Sequence, residues 1–248
     1  MKERCEVKAH PDRHIEIWEQ HIHSFVAFCG PQDTATSAKN DDLLSGLRVG
    51  VKDVIDVAGM KTSNGSLACQ DALPAAQDAT VVAALRASGA EVIGKTTTTE
   101  FAFTDPTSCR NPYDVQRSPG GSSSGSGAAV AAGLVDVALG TQTAGSLCRP
   151  AAYCGAVGFK PSYAVLPRTG ATPLAPSFDT IGIIATSVEL ASKCFQVMCP
   201  TRPEISKDPV EGQGIYHAIN IALLAIEGVG YEKELIDLKK YEPTLTNE

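Results

Sequence analysis

Residues 118–127 read SPGGSSSGSG, a stretch made of glycine and serine with one proline. So much backbone freedom and so little side-chain volume argue against regular structure and predict a loop. The following residues, AAVAA at 128–132, are strong helix formers. The chain is therefore expected to feed a hydroxyl-rich loop directly into a helix, and whatever fold it adopts must hold that loop in place.

Around this feature the apolar residues follow two periods. Ile15, Trp18, Ile22, Phe25 and Val26 recur at helical spacing after Asp12, a candidate cap, with Gly30-Pro31 as the stop, and predict a docking helix over about 12–30. Residues 47–51 (LRVGV) predict a short strand that delivers Lys52 at its end. Asp78 is placed to cap a helix through Val81, Val82 and Leu85 that closes at Gly89, and 91–93 predict the next strand. A further apolar run at 135–139 is expected to break at 140–145, immediately before Ser146. Thr186-x-x-Glu189 reads as a capping box for a helix reaching about Cys199, and 215–226 predict another. Alternation of this kind argues for an α/β fold.

Charge narrows the partners. With 21 Lys+Arg against 28 Asp+Glu, a net charge of -7, a nucleic acid or an anionic membrane would bind against the overall field, so neither is expected. The first residues carry no signal-peptide core and no stretch approaches the length of a membrane span, so a cytoplasmic location is expected. Eight cysteines without a CxxC pair read as free buried thiols, and the histidines at 10, 14, 21 and 23 lack the carboxylate or cysteine framework of a metal site. No metal and no cofactor are expected.

Two local motifs compete for the chemistry. Gly89-AEVI-Gly94-Lys95-Thr96 fits the phosphate-binding pattern GxxxxGK[ST], but that cradle needs a strand before the first glycine and a helix after the lysine, and here the order is reversed. Gly121-Ser-Ser123-Ser-Gly125 fits the nucleophile elbow GxSxG, with Asp179 and His217 following in hydrolase order. The elbow needs a strand directly before it, which Arg117-Ser-Pro-Gly120 does not supply.

Several segments taken together carry more weight. GVKDVIDVAGMKTSNGS (50–66), GKTTTTEFAF (94–103), SPGGSSSGSGAAVAAG (118–133), GTQTAGSLCRPAAYCGAVGFKPS (140–162) and TPLAPSFDTIGIIATSVELA (172–191) resemble the amidase signature family, with the 140–162 segment most similar to its malonamidase-like bacterial members. The likeness implies an α/β fold with a mixed central β-sheet covered by helices, in one domain over 1–248 whose signature core spans about 43–191. Because family members are much longer, the C-terminal half is expected to be missing and the fold incomplete. The resemblance implies hydrolysis of a carbon-nitrogen amide bond through an acyl-enzyme. Lys52 falls on the catalytic lysine, Ser122, across a cis peptide, on the bridging serine, and Ser146 on the acylated serine. The oxyanion hole maps onto Thr143, Ala144, Gly145 and Ser146.

The chemistry of these residues agrees. A serine hydroxyl needs a base, a buried lysine can be neutral enough to act as one, and an intervening hydroxyl both accepts and donates a proton. Asp53 and Asp56 read as structural hydrogen-bonding residues near the lysine. Arg149 has two readings: a contact to a substrate carboxylate, or an ion-pair partner of a carboxylate such as Asp179. Three departures from the commoner family form stand at Gln142 (aspartate), Ala144 (glycine) and Arg149, which lies three residues after the nucleophile instead of two. The expected partner is a small-molecule amide, with a homo-oligomer expected if sheet edges stay open. The alternatives are a noncatalytic or truncated remnant of the fold, and an amidotransferase subunit that delivers ammonia to a partner.

Overall fold

In the computed structural model, which describes residues 12–30 and 42–199, six strands form one sheet. They are β1 (Phe25–Phe28), β2 (Arg48–Lys52), β3 (Glu91–Thr96), β4 (Val137–Gln142), β5 (Val157–Phe159) and β6 (Thr180–Ala185). Their order is β1-β3-β2-β4-β6-β5; β2 runs parallel to β3 and β4, and the other pairs are antiparallel. This is a mixed sheet. Among the described residues five α-helices cover it: α1 (Arg13–Ile22), α2 (Thr80–Ala87), α3 (Ser124–Ala131), α4 (Cys148–Tyr153) and α5 (Val188–Met198).

The central strands are apolar on both sides because both faces are covered. Val92, Val137, Leu139, Ile181 and Ile183 pack with Val81, Val82 and Leu85 of α2 and Ala191, Cys194 and Met198 of α5. Their neighbours Ile93, Ala138 and Ile184 pack instead with Ile15 and Ile22 of α1, Ala128, Ala129 and Val130 of α3, and Ala151 of α4. None of the described helices is long and apolar enough to cross a membrane.

The structure differs from the sequence reading at several ends. The docking helix stops at Ile22, where His23 turns left-handed at φ 51, and Phe25–Phe28 becomes an edge strand on β3. Phe25 still reaches the same core as Ile22, so helical spacing and strand pairing bury the same residue. Asp12 does cap α1, accepting from the His14 N–H at 2.8 Å. Asp78 does not cap α2, whose N-cap is Ala79; it accepts from the Ala58 N–H at 2.8 Å and pairs with Arg86 at 3.2 Å. The capping oxygen of α5 is Ser187 Oγ, one residue after the expected Thr186. The predicted helix at 215–226 lies outside the described residues.

Two differences shape the site. β4 runs through Gly140 to Gln142, because Gly140 pairs with Gly182 and has no side chain to collide with Ser123 Oγ, which a Cβ would meet at 2.8 Å. Helix α3 begins at Ser124, four residues before the alanine run. Burial overrides the weak helix propensity of glycine and serine here. Gly125 lies against β3's end so closely that a Cβ would sit 2.1 Å from the Ser24 carbonyl oxygen and 2.3 Å from the Thr97 nitrogen. Ser126 Oγ donates to the Leu139 carbonyl at 2.9 Å and contacts Thr96 Oγ1 at 2.8 Å, which satisfies its polarity inside the core.

Both atoms nearest to Gly125 are backbone, so the contact cannot yield by a rotamer change. Gly125→Ala is expected to lower the unfolding free energy in urea by at least ~3 kcal/mol, and a loss below ~1 kcal/mol would show that α3 can lift off the sheet.

Candidate active site

Lys52 is the last residue of β2, on the sheet face that carries α3. It is fully buried at 0% exposure. Its Nζ lies 2.7 Å from Ser122 Oγ and 2.8 Å from Thr141 Oγ1. No carboxylate lies within ion-pair distance of the amine among the described residues. Burial lowers its pKa from 10.5 to about 7, against an upward pull from the charge of Asp179. Near neutral pH a large share of these amines is therefore unprotonated, and the lone pair of a neutral amine accepts a proton from a hydroxyl at this distance.

The loop that presents Ser122 is held from several sides. The Gly121-Ser122 peptide is cis. The Ser122 carbonyl accepts from the Thr99 N–H at 3.1 Å, and Ser124 Oγ donates to the Gly120 carbonyl at 2.7 Å. The next amide, Ser123 N–H, donates to the Ser146 carbonyl at 3.0 Å. That bond ties the backbone of Ser146 to the residue after Ser122, while no hydrogen bond joins the Ser146 and Ser122 hydroxyls directly. Ser123 itself faces inward at 0% exposure, with Oγ 3.3 Å from both the Thr141 nitrogen and carbonyl oxygen. No strand precedes it, so the elbow reading fails on geometry.

Residues 143–146 form the turn between β4 and α4. Gln142 Oε1 accepts from the Leu147 N–H at 3.0 Å and from the Cys148 N–H at 2.9 Å, which caps α4 from behind the turn. Thr143 Oγ1 donates to Asp179 Oδ1 at 2.5 Å. The amides of Ala144, Gly145 and Ser146 donate to no atom of the described residues. Small side chains at 144 and 145 leave them open, and a Cβ at Gly145 would meet the Arg149 guanidinium at 2.8 Å.

Arg149 is exposed, and its guanidinium reaches the Gly121 carbonyl at 3.4 Å. The expected alternative, a pair with Asp179, does not form. Asp179 Oδ2 instead accepts from the Leu174 and Ala175 amides at 2.7 and 3.0 Å. Two cavities border the site. One, of about 250 Å³, is lined by Thr141, Arg168, Asp179 and Thr180; the other, of about 220 Å³, by Thr99, Gly121, Arg149 and Tyr153.

Other motif residues have structural partners. Lys95 of the phosphate-loop pattern is a buried strand residue paired with Asp53 at 3.0 Å, and Asp56 accepts from Thr62 Oγ1 at 2.6 Å. Neither glycine of that pattern opens a helix. Cys109, Cys154 and Cys194 are free and buried, Cys148 is free and exposed, and Cys5 and His217 lie outside the described residues. His14 Nε2 contacts the Ala132 carbonyl at 3.0 Å, and no cluster of metal-ligating side chains occurs among the described residues. Thr141, Gln142 as a cap and the Thr143–Asp179 bond do not stand out in the sequence. Thr141 and Gln142 sit inside the GTQTAGS motif, yet only strand register shows that one reaches Lys52.

The sequence profile of the amidase family matches residues 12–235. A glutamyl-tRNA(Gln) amidotransferase subunit of Sulfolobus acidocaldarius is 40% identical over 195 residues, which is 74% of this chain and 41% of that protein. Among solved structures, the corresponding subunit from Thermotoga maritima superposes with a TM-score of 0.70 at 35% identity, covering 76% of this chain and 42% of that one. The peptide amidase of Stenotrophomonas maltophilia gives 0.63 at 34% identity, covering 83% and 47%. The chain thus spans less than half the length of these relatives.

The Lys52 environment has a consequence for stability. Between about pH 7 and 10.5 the unfolded chain holds a proton on this side chain that the folded chain has released. The unfolding free energy therefore gains a contribution that rises with pH across that window and is smallest below it. Comparing Lys52→Met with the parent by denaturant unfolding at several pH values, the difference is expected to move in the parent's favour as pH climbs through the window. A difference flat with pH would show that the buried amine titrates normally.

Proposed function

Since this chain belongs to the amidase family, we propose that it hydrolyses a carbon-nitrogen amide bond with Lys52 as base, Ser122 as proton relay and Ser146 as nucleophile. The observation that carries this reading is the Lys52 amine, buried, near neutral in pKa and 2.7 Å from Ser122 Oγ. Ser146 Oγ attacks the amide carbon while its proton passes to Ser122, whose own proton passes to Lys52. The negative oxygen of the tetrahedral intermediate is received by the amides of 143–146. The C–N bond then breaks, the proton returns along the relay to the departing amine, and water releases the acyl group from Ser146 by the same steps.

Arg149 is proposed to bind the substrate. It sits beside the 143–146 turn with its guanidinium exposed toward a cavity, and its planar fork suits a carboxylate. The substrates are then amides of short dicarboxylic acids with one free carboxylate.

A second reading is favoured by the comparisons. Several relatives 37–43% identical are named as a component of glutamyl-tRNA(Gln) amidotransferase. In that reading the same C–N cleavage serves ammonia release to a partner protein. The Lys52–Ser122 arrangement is common to both.

Ser146→Ala is expected to abolish amide hydrolysis, whereas Ser123→Ala, at a residue whose hydroxyl meets only the β4 backbone, should retain turnover. Lys52→Arg is expected to lose at least ~1,000-fold in kcat/KM, because a guanidinium stays protonated and cannot act as base. A fully active Lys52→Arg enzyme would exclude the relay. For Arg149→Gln, kcat/KM should fall at least ~10-fold on an amide bearing a free carboxylate and stay within ~2-fold on a neutral amide of equal size. An equal fall on both substrates would remove Arg149 from substrate binding.

A further inference from the structure

Asp179 lies outside the Lys52–Ser122–Ser146 set, yet it is the carboxylate on which the site's parts converge. It is 7% exposed and accepts three hydrogen bonds, from Thr143 Oγ1 at 2.5 Å and from the amides of Leu174 and Ala175 at 2.7 and 3.0 Å. Thr143 opens the 143–146 turn, and Leu174 and Ala175 belong to the loop that leads into β6. A buried carboxylate with three donors is well satisfied, so it acts as a rigid bracket between these two segments.

We propose that Asp179 is a positioning residue of this site, which locks the 143–146 turn to the loop before β6 and supplies the fixed negative charge against which Lys52 works. The inference rests on the proposed role of Lys52 and adds a residue that acts through it. At the far end of the turn, Gln142 Oε1 holds the Leu147 and Cys148 amides, so side chains clamp the turn at both of its ends.

Helix α3 and strand β4 carry no titratable side chain, and the loop before α3 and the end of β4 offer the hydroxyls of Ser122 and Thr141. On β3 and just past β2, Lys95 and Asp53 form an ion pair at 3.0 Å and offset each other. Asp179 is left. Burial raises its own pKa, and its three hydrogen bonds and the charge of Arg168 oppose that rise by favouring the ionised form. Its charge pulls the Lys52 pKa up, opposing the larger downward effect of burial. Removing the charge should therefore leave the lysine titrating lower, and removing only the Thr143 bond should not.

The test reads both roles without relying on turnover. In the 248-residue protein labelled with ¹³C-lysine, the ε-carbon shift of Lys52, assigned by its disappearance in Lys52→Met, is followed with pH. Asp179→Asn is expected to lower the midpoint by at least ~0.5 pH unit, and Thr143→Val to leave it in place. In Thr143→Val the ¹⁵N order parameters at 144–146 are expected to fall from a rigid ~0.85 toward ~0.6, with Thr143→Ser restoring them. A midpoint unmoved or raised in Asp179→Asn overturns the electrostatic role. Parent-like order parameters in Thr143→Val overturn the bracket, and this arm stands even if Asp179→Asn does not fold. If the parent hydrolyses no amide, the proposed function fails, while these two measurements still decide the role of Asp179.

Discussion

A primary amine buried at 0% exposure with no carboxylate in ion-pair reach among the described residues is costly in its charged form, and the fold around Lys52 is arranged so that the neutral form is accessible. Two hydroxyls, Ser122 and Thr141, meet the nitrogen at 2.7 and 2.8 Å and give it partners in either protonation state. Hydroxyls satisfy without supplying charge, so desolvation remains the largest influence on the amine and brings it to about 7. A carboxylate at either position would instead hold the lysine protonated and useless as a base.

The rest of the architecture serves that contact. To bring Ser122 onto the end of β2, α3 must approach the sheet at backbone distance, and its glycines and serines make this feasible. Gly125 against Thr97 and Gly140 against Ser123 are two points where a side chain would force the layers apart. The Ser123 amide then ties this loop to the Ser146 carbonyl, and Gln142 and Asp179 fix the two ends of the turn that holds Ser146. With these ties in place, the amides of 144–146 have no acceptor among the described residues.

Much of the fold was legible in the sequence because apolar alternation marks buried strands whatever their neighbours. The strand ending at Lys52 is of this kind, whereas the helix after the serine-rich loop was legible from its alanine run and starts four residues earlier than that run. The expected long N-terminal helix fails beyond Ile22 because Phe25 satisfies the helical period and the strand pairing equally, and local spacing cannot choose between them. Gly140 looked like a strand breaker, since only the opposite Gly182 and the inward Ser123 show why a glycine is required there. Within the site, the candidate serines and lysine stood out through the family likeness. Thr141 did not, and Asp179 was read only as a hydrolase acid or a partner for Arg149, because their contacts depend on strand register and on a hydrogen bond spanning 36 residues.

Lys52, with a pKa brought near neutral, is proposed to activate Ser146 through Ser122. This activation is tested most directly by reacting the 248-residue protein with a fluorophosphonate across a pH series and mapping the adduct by peptide mass spectrometry. A single adduct on Ser146 is expected, formed at a rate that rises with pH through one ionisation near the Lys52 value of about 7. An adduct on Ser123 or Ser124, a rate indifferent to pH, or no adduct at all would contradict that activation.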